Sequence, residues 1–348
     1  MATARATGRI GVTHEWGVLR EAVVGRVIDF RVPEQLGAGL PGTLDFLPAP
    51  TRSRLPEWAG KPWSEADPEG YGRAVAQADG LARFLAGRGV AVHRPRELTE
   101  AELSAYGREG DRFSMQTFVR DPMVVVGDHV VETALRLPAR FKERFGLRPV
   151  FAEAVARGAR YSVMPPPAPF PLKEMPTAAG PFLEGGDVLL FGRDVLVGCG
   201  RGGTASDRAG ARWLADLLGD GYRVRTVPLS ERVIHLDDGL TAVREGLAVV
   251  CREQFPEGVP DPVAGWELID VSLADAVDLL AGNSLVLGPG EVVVDERLTD
   301  LAEALTARDV TVHTLPFDAV TVFAGGFRCA HHPLVREPAV NNAAGRYS

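Results

Sequence analysis

"FLEGGDVLLFGRDVLVG", residues 182–198, sets two β-rich apolar runs on either side of a short turn containing Gly192. Val, Leu and Phe flanking a glycine turn read as a β-hairpin. The pattern returns in "MVVVGDHVVE" (123–132), "LTAVREGLAVV" (240–250) and "SLVLGPGEVVVDE" (284–296). A second unit, a helical stretch followed by a strand ending at Pro, recurs in "VAQADGLARFLAGRGVAVHRP" (75–95), "RAGARWLADLLGDGYRVRTVP" (208–228) and "LTDLAEALTARDVTVHTLP" (298–316). In each helix the apolar residues return at three- and four-residue spacing, and Gly or Asp stops it before a period-two strand. The chain therefore reads as hairpin, helix, strand, repeated at intervals of roughly 50 to 65 residues, a period expected of arrays and propellers.

A length of 348 residues admits one elaborate domain or two ordinary ones, and the repeat favours one pseudosymmetric α/β domain over 12–340. Residues 1–11 are expected to be a flexible start and 341–348 a tail. Two stretches interrupt the period. The Pro-rich "MPPPAPFPLKEMP" (164–176) reads as a loop on the active-site side, and residues 30–70, with Trp58 and Trp63, read as an irregular excursion.

Hydrophobic residues at 45% and charged residues at 24% fit a globular chain with a large core. The formal charge of −8, with scattered basic residues, argues against a nucleic-acid surface and suits a small cationic substrate. No apolar run approaches a membrane span of about 18 residues, and a cytoplasmic location is expected, with a homodimer compatible. "GCGRGG" (198–203) lacks the Lys-Ser/Thr pair of a phosphate loop and serves as a turn before a helix near Asp207. Three cysteines are too few for a disulfide framework or a four-thiolate zinc site. Cys199 and Cys251 end apolar runs and read as inert core thiols. Cys329 lies in "GGFRCAHHPLV" (325–335), where His331 and His332 fit no standard metal spacing and are expected to flank the site or sit at a strand edge.

Ionisable residues stand at the starts of the repeats: Asp121 in "FVRD", Glu184 and Asp187 in "FLEGGD", His235, Asp237 and Asp238 in "VIHLDDG", and Cys329 in "GGFRC". Delivered from equivalent positions, they would ring one axis. Such a ring suits attack on a planar cation, with carboxylates binding a guanidinium, a thiolate attacking its carbon and an imidazole protonating the departing amine. In an extended strand Asp237 would share a side with His235. Asp238 would face away, as a turn or solvent residue. Asp187 is as well suited to capping the turn at Gly185 and Gly186 as to catalysis. Arg252 and Arg328 are candidates for a substrate carboxylate.

These blocks, together with "VTHEWGVLREAVVGR" and "ETALRLPARF", resemble guanidino-group-modifying enzymes, particularly arginine-dependent amidinotransferases of the glycine and inosamine-phosphate type, from about residue 12 to about 337. The resemblance implies a five-bladed α/β propeller of ββαβ units, called a pentein. It also implies Cys329 as nucleophile, His235 as general acid and base paired with Glu184, and Asp121 and Asp237 on the guanidinium. No metal or organic cofactor is implied. The "EGGD" block is more similar to deiminases and dimethylargininases, which use water where transferases use an amine, so both outcomes stay open.

Overall fold

The computed structural model describes residues 8–34, 45–105, 113–168, 170, 174, 177–200 and 205–338. Its strands form five three-stranded sheets. Strands β3 (Met123–Val126), β4 (His129–Glu132) and β5 (Arg160–Val163) make one, and β6 (Val188–Phe191), β7 (Asp194–Gly200) and β8 (Arg223–Leu229) the next. Then come β9 (Leu240–Arg244), β10 (Leu247–Val250) and β11 (Glu267–Asp270), followed by β12 (Leu285–Gly288), β13 (Glu291–Asp295) and β14 (Thr311–Leu315). The fifth sheet joins the chain's two ends: β15 (His331–Glu337) runs antiparallel to β1 (Val18–Val24), which pairs in parallel with β2 (Ala91–His93). Every sheet thus has one antiparallel contact and one parallel contact, the parallel one reached by a crossover connection. This is the five-unit pentein propeller.

Local chemistry accounts for the units. Phe191 pairs with Asp194 across Gly192 and Arg193, and Gly192 has φ 69°, a conformation in which a Cβ would be strained. The crossover helix Arg208–Leu218 (called α3 below) starts at Asp207, whose carboxylate accepts from Gly210 N at 2.8 Å; this is an N-cap. Its Ala211, Leu214 and Leu218 pack on Val195 and Val197, each leucine contributing roughly 1.5–3 kcal/mol by burial. Helix α1 (Pro68–Gly87) buries Ala74, Ala78, Leu81 and Leu85, one stripe at helical spacing. The remaining crossover helices are α2 (Glu143–Ala156) and α4 (Thr299–Thr306).

Three features depart from the sequence reading. Between β10 and β11 the crossover contains two 3₁₀ turns, Arg252–Gln254 and Asp261–Val263, and no α-helix, because Pro256, Gly258, Pro260 and Pro262 break helical hydrogen bonding. Helix α2 was hidden by Gly146 and Pro149, which blur its period. Residues 30–70, expected to be irregular, include the helix Ala49–Trp58, and Trp58 and Trp63 are buried against Phe323, with Trp63 also meeting Phe30. Residues 169, 171–173, 175 and 176 of the 164–176 loop and 201–203 of "GCGRGG" lie outside the described residues. Among the described residues no helix is long and apolar enough to cross a membrane.

Candidate active site

The pseudosymmetry brings the five hairpin entrances to one pole. Two residues ahead of β3, β6, β9, β12 and β15 stand Asp121, Gly186, Asp238, Asn283 and Cys329. One residue further back are Arg120, Gly185, Asp237, Gly282 and Arg328. Equivalent positions in five repeats thus supply two layers of side chains. Where the first layer has Gly186, the His235 imidazole fills the room: a Cβ on Gly186 would lie 2.7 Å from His235 Cγ. The glycines of "EGGD" are therefore explained by close approach.

Asp121, Glu184, His235, Asp237 and Cys329 are all buried, and the structure brings them together. His235 Nε2 lies 2.9 Å from Glu184 Oε2, and its Nδ1 is 3.8 Å from Asp121 Oδ1. Glu184 Oε1 accepts from Arg136 N at 2.8 Å, which fixes the carboxylate. Asp121 accepts from Gly186 N at 3.2 Å and from Arg140 Nη1 at 2.9 Å. The Cys329 thiol donates to Asp237 Oδ2 at 3.8 Å and hydrogen-bonds with His235. Asp237 Oδ1 is buried with no hydrogen-bond partner, so one carboxylate oxygen beside the sulfur is left to receive a donor.

Burial disfavours the charged form of each group, and the neighbours decide the outcome. For His235 burial lowers the pKa, but Asp121, Asp187 and the bonds to Cys329 and Glu184 together raise it well above the ordinary imidazole value. Burial and the nearby Asp237 carboxylate push the Cys329 thiol up, while its bond with His235 acts the other way. The resting pair is an imidazolium beside a protonated thiol. Cys199, half-buried, is pushed up to about 12 by burial and by Asp187 and Asp207; Cys251, buried, is pushed up to about 11 by burial and Glu253. Among the described residues Arg208 acts in the lowering direction on Cys199, and neither thiol bonds an imidazole.

Several candidates occupy other roles. Asp187 accepts from Leu236 N and Ser206 N, both at 3.0 Å, and is raised to about 7, chiefly by burial; it staples backbone segments around the site. Asp238, expected to face away from His235 as a turn or solvent residue, does stand in a turn but is buried, and accepts from His235 N at 3.0 Å and Asn283 Nδ2 at 3.1 Å. The reason is that Leu236–Asp238 form a 3₁₀ turn and not an extended strand. Arg328 is buried and presents nothing to a substrate: Glu15 accepts from its Nε and Nη2 at 3.1 Å, and Asp237 from its Nη1 at 2.8 Å. Arg252 is exposed and pairs with Asp270 at 2.5 Å. Its own 3₁₀ turn also carries Gln254, whose amide bonds His235 O, so Arg252 lies on a loop that flanks the site. His331 and His332 are buried on β15, opposite Val24 and Val23 of β1. Burial and the arginines around them lower both pKa values well below normal, leaving them neutral beneath the site.

Asn283 and Arg140 were not anticipated. The position of Asn283, two residues ahead of a recurring hairpin, was the available signal; Arg140 is far from any repeat start, and its signal was its place in the "ETALRLPARF" block. A metal could be imagined on Asp121, Glu184 and His235, or on His235, Asp237 and Asp238, whose ligand atoms approach within 4.8 Å in each group. The donor set fits hydrogen bonding better, since His235 Nε2 is taken by Glu184 and Asp121 by Arg140 and Gly186.

A five-unit propeller closing on buried acids, an imidazole and a thiol has the pentein fold, and the chain is similar over nearly its whole length to amidinotransferases that modify guanidino groups. The chain is an enzyme whose sequence relatives are amidinotransferases, and amidinotransferase function is what they support. It is 28% identical to inosamine-phosphate amidinotransferase 1 of Streptomyces griseus over 92% of this chain and 95% of the relative. It is 24% identical to the L-arginine:L-lysine amidinotransferase of Pseudomonas savastanoi pv. phaseolicola, covering 91% of each. Among solved structures, an amidinotransferase from Microseira wollei in the saxitoxin biosynthetic pathway superposes with a TM-score of 0.77 at 20% identity, covering 95% of this chain and 98% of that one. No protein-family model matches the chain.

Proposed function

We propose that the protein transfers the amidino group of L-arginine to an amine through a covalent amidino-Cys329 intermediate, releasing ornithine. The observation that carries the reading is the meeting of one thiol, one imidazole–carboxylate pair and two flanking aspartates in a single buried cluster. The arginine guanidinium would sit between Asp121 and the free Oδ1 of Asp237, paired by charge-assisted hydrogen bonds. Its positive charge there favours ionisation of Cys329, whose proton passes to solvent because His235 is already protonated. The thiolate attacks the guanidinium carbon, and as the C–S bond forms the C–N bond to ornithine breaks. His235 gives its proton to the departing nitrogen, then accepts one from the incoming ammonium. The freed amine attacks the amidino carbon and Cys329 leaves as thiolate. Glu184 holds His235 in register throughout. We also propose that Arg252, exposed and paired with Asp270 at the surface, meets a substrate carboxylate.

Two relatives act, by name, on inosamine phosphate and on arginine with lysine, so the acceptor belongs to the amines. The test is incubation with arginine, with and without a panel of primary amines, followed by product analysis. Ornithine and a new guanidino compound are expected. Citrulline and ammonia would reassign the second half-reaction to water, and full activity in Cys329→Ala would remove the covalent mechanism.

A further inference from the structure

We propose that Asn283 is a catalytic residue of the thiol centre: its amide N–H favours the Cys329 thiolate, and its amide oxygen fixes where that sulfur sits. This rests on the reading of Cys329 as nucleophile. Asn283 is buried. Its Oδ1 accepts from Cys329 N at 3.0 Å, and its Nδ2 lies 3.2 Å from Cys329 Sγ and 3.1 Å from Asp238 Oδ1. Both amide hydrogens have acceptors and the oxygen has a donor. The orientation follows from those partners, because a reversed amide would set NH₂ against the Cys329 N–H and an oxygen against the Asp238 carboxylate.

The same amide joins the nucleophile to its base. Asp238, which takes one Asn283 hydrogen, also takes the backbone N–H of His235. Asn283 therefore couples the hairpin entrances that carry Cys329 and His235. The sequence makes room for it: a Cβ on Gly326 would lie 2.9 Å from both Cβ and Oδ1 of Asn283, so the second glycine of "GGF" is needed for this contact.

Charge explains why a neutral amide stands here. The sulfur is near Asp237, Asp238 and Asp121, and all three carboxylates oppose its ionisation. A carboxylate at position 283 would add a fourth. An N–H donor acts in the opposite sense, since a hydrogen bond to the charged form favours that form. It serves twice in the proposed reaction. It stabilises the thiolate that attacks the guanidinium, and it meets the charge returning to sulfur when the acceptor amine breaks the C–S bond. In both steps the protons move through His235, so Asn283 itself stays neutral.

The test compares the wild-type chain with Asn283→Ala and Asn283→Asp. The Asp variant retains shape and an oxygen for Cys329 N, and it decides the matter if the Ala variant does not fold. Alkylation of Cys329 by iodoacetamide is followed against pH by mass spectrometry of the Cys329 peptide, and kcat and KM for arginine by ornithine release. The alkylation midpoint is expected to rise by about one pH unit or more in Asn283→Ala and further in Asn283→Asp. The kcat is expected to fall on the order of 10²-fold, the scale for losing one donor to a developing charge, with KM for arginine changed less than about threefold. An unchanged alkylation midpoint in a folded variant overturns the inference, even with reduced kcat, because a merely structural role would lower turnover without moving the thiol's titration. An active Cys329→Ala would instead overturn the nucleophile reading on which the inference stands.

Discussion

Arg328 and Cys329 are neighbours in the chain and belong to adjacent layers of the propeller, and the two layers handle buried charge differently. In the deeper layer Arg328 meets Glu15 and Asp237 and the carbonyl of Val188, and its charge is matched. In the upper layer Cys329 faces an imidazolium, and Asp237 reaches up with one oxygen that has no partner. Matched buried charges hold a structure together, whereas an unmatched oxygen beside a thiol is a receiving position for a cationic substrate. Asp237 belongs to both, anchored below and free above.

The sharpest way to break this contrast is to remove the sulfur. Cys329→Ala should lower turnover by about 10⁴-fold or more, as in other nucleophile deletions, with little change in unfolding midpoint; product assays and thermal melts check the pair. Arg328→Met should do the reverse in order of cause. It strands Glu15 and Asp237 without their cation, and a stability loss of about 3–5 kcal/mol is expected in denaturant titration, with any loss of activity following from it. A third measurement sharpens the upper layer alone. The Cys329 thiol is held above its ordinary value, so kcat/KM should still be rising where an unperturbed cysteine would have finished titrating; it should fall again only when His235, also raised, loses its proton. A profile flat from pH 6 to 8 would contradict this. The smallest effect should come from outside both layers: Arg252→Ala removes an exposed ion pair worth less than about 1 kcal/mol, yet KM for arginine should rise about tenfold if the guanidinium binds a carboxylate.

Much of this was legible in the sequence because repetition turns local pattern into geometry. Four hairpins and three helix–strand units were visible from periodicity, and the acids, His235 and Cys329 at their entrances could be gathered at one pole before any coordinates. What escaped notice escaped for physical reasons. The closing pair β15–β1 joins residues over 300 apart, a contact with no local signature, and so Arg328 could be mistaken for a substrate ligand when its partner Glu15 lay at the other end of the chain. Asp238 is a turn residue, as its sequence allows, but it faces inward because the segment turns where strand alternation would point it away. Asn283 carries no charge and was passed over in a search for ionisable groups. The helix at 143–156 was concealed by its own Gly146 and Pro149.

The pairing of β15 with β1 also governs when the molecule can react. The strand that seals the ring is the one directly after the thiol, so ring closure and arrival of the proposed nucleophile are one event in the life of a chain. A ribosome-bound chain that has emerged only as far as β14 already has Asp121, Glu184, His235 and Asp237 but lacks the sulfur through which we propose the amidino group passes. On that proposal incomplete copies would be chemically silent, and a single stretch of about ten residues would carry both the latch of the fold and the reagent it protects.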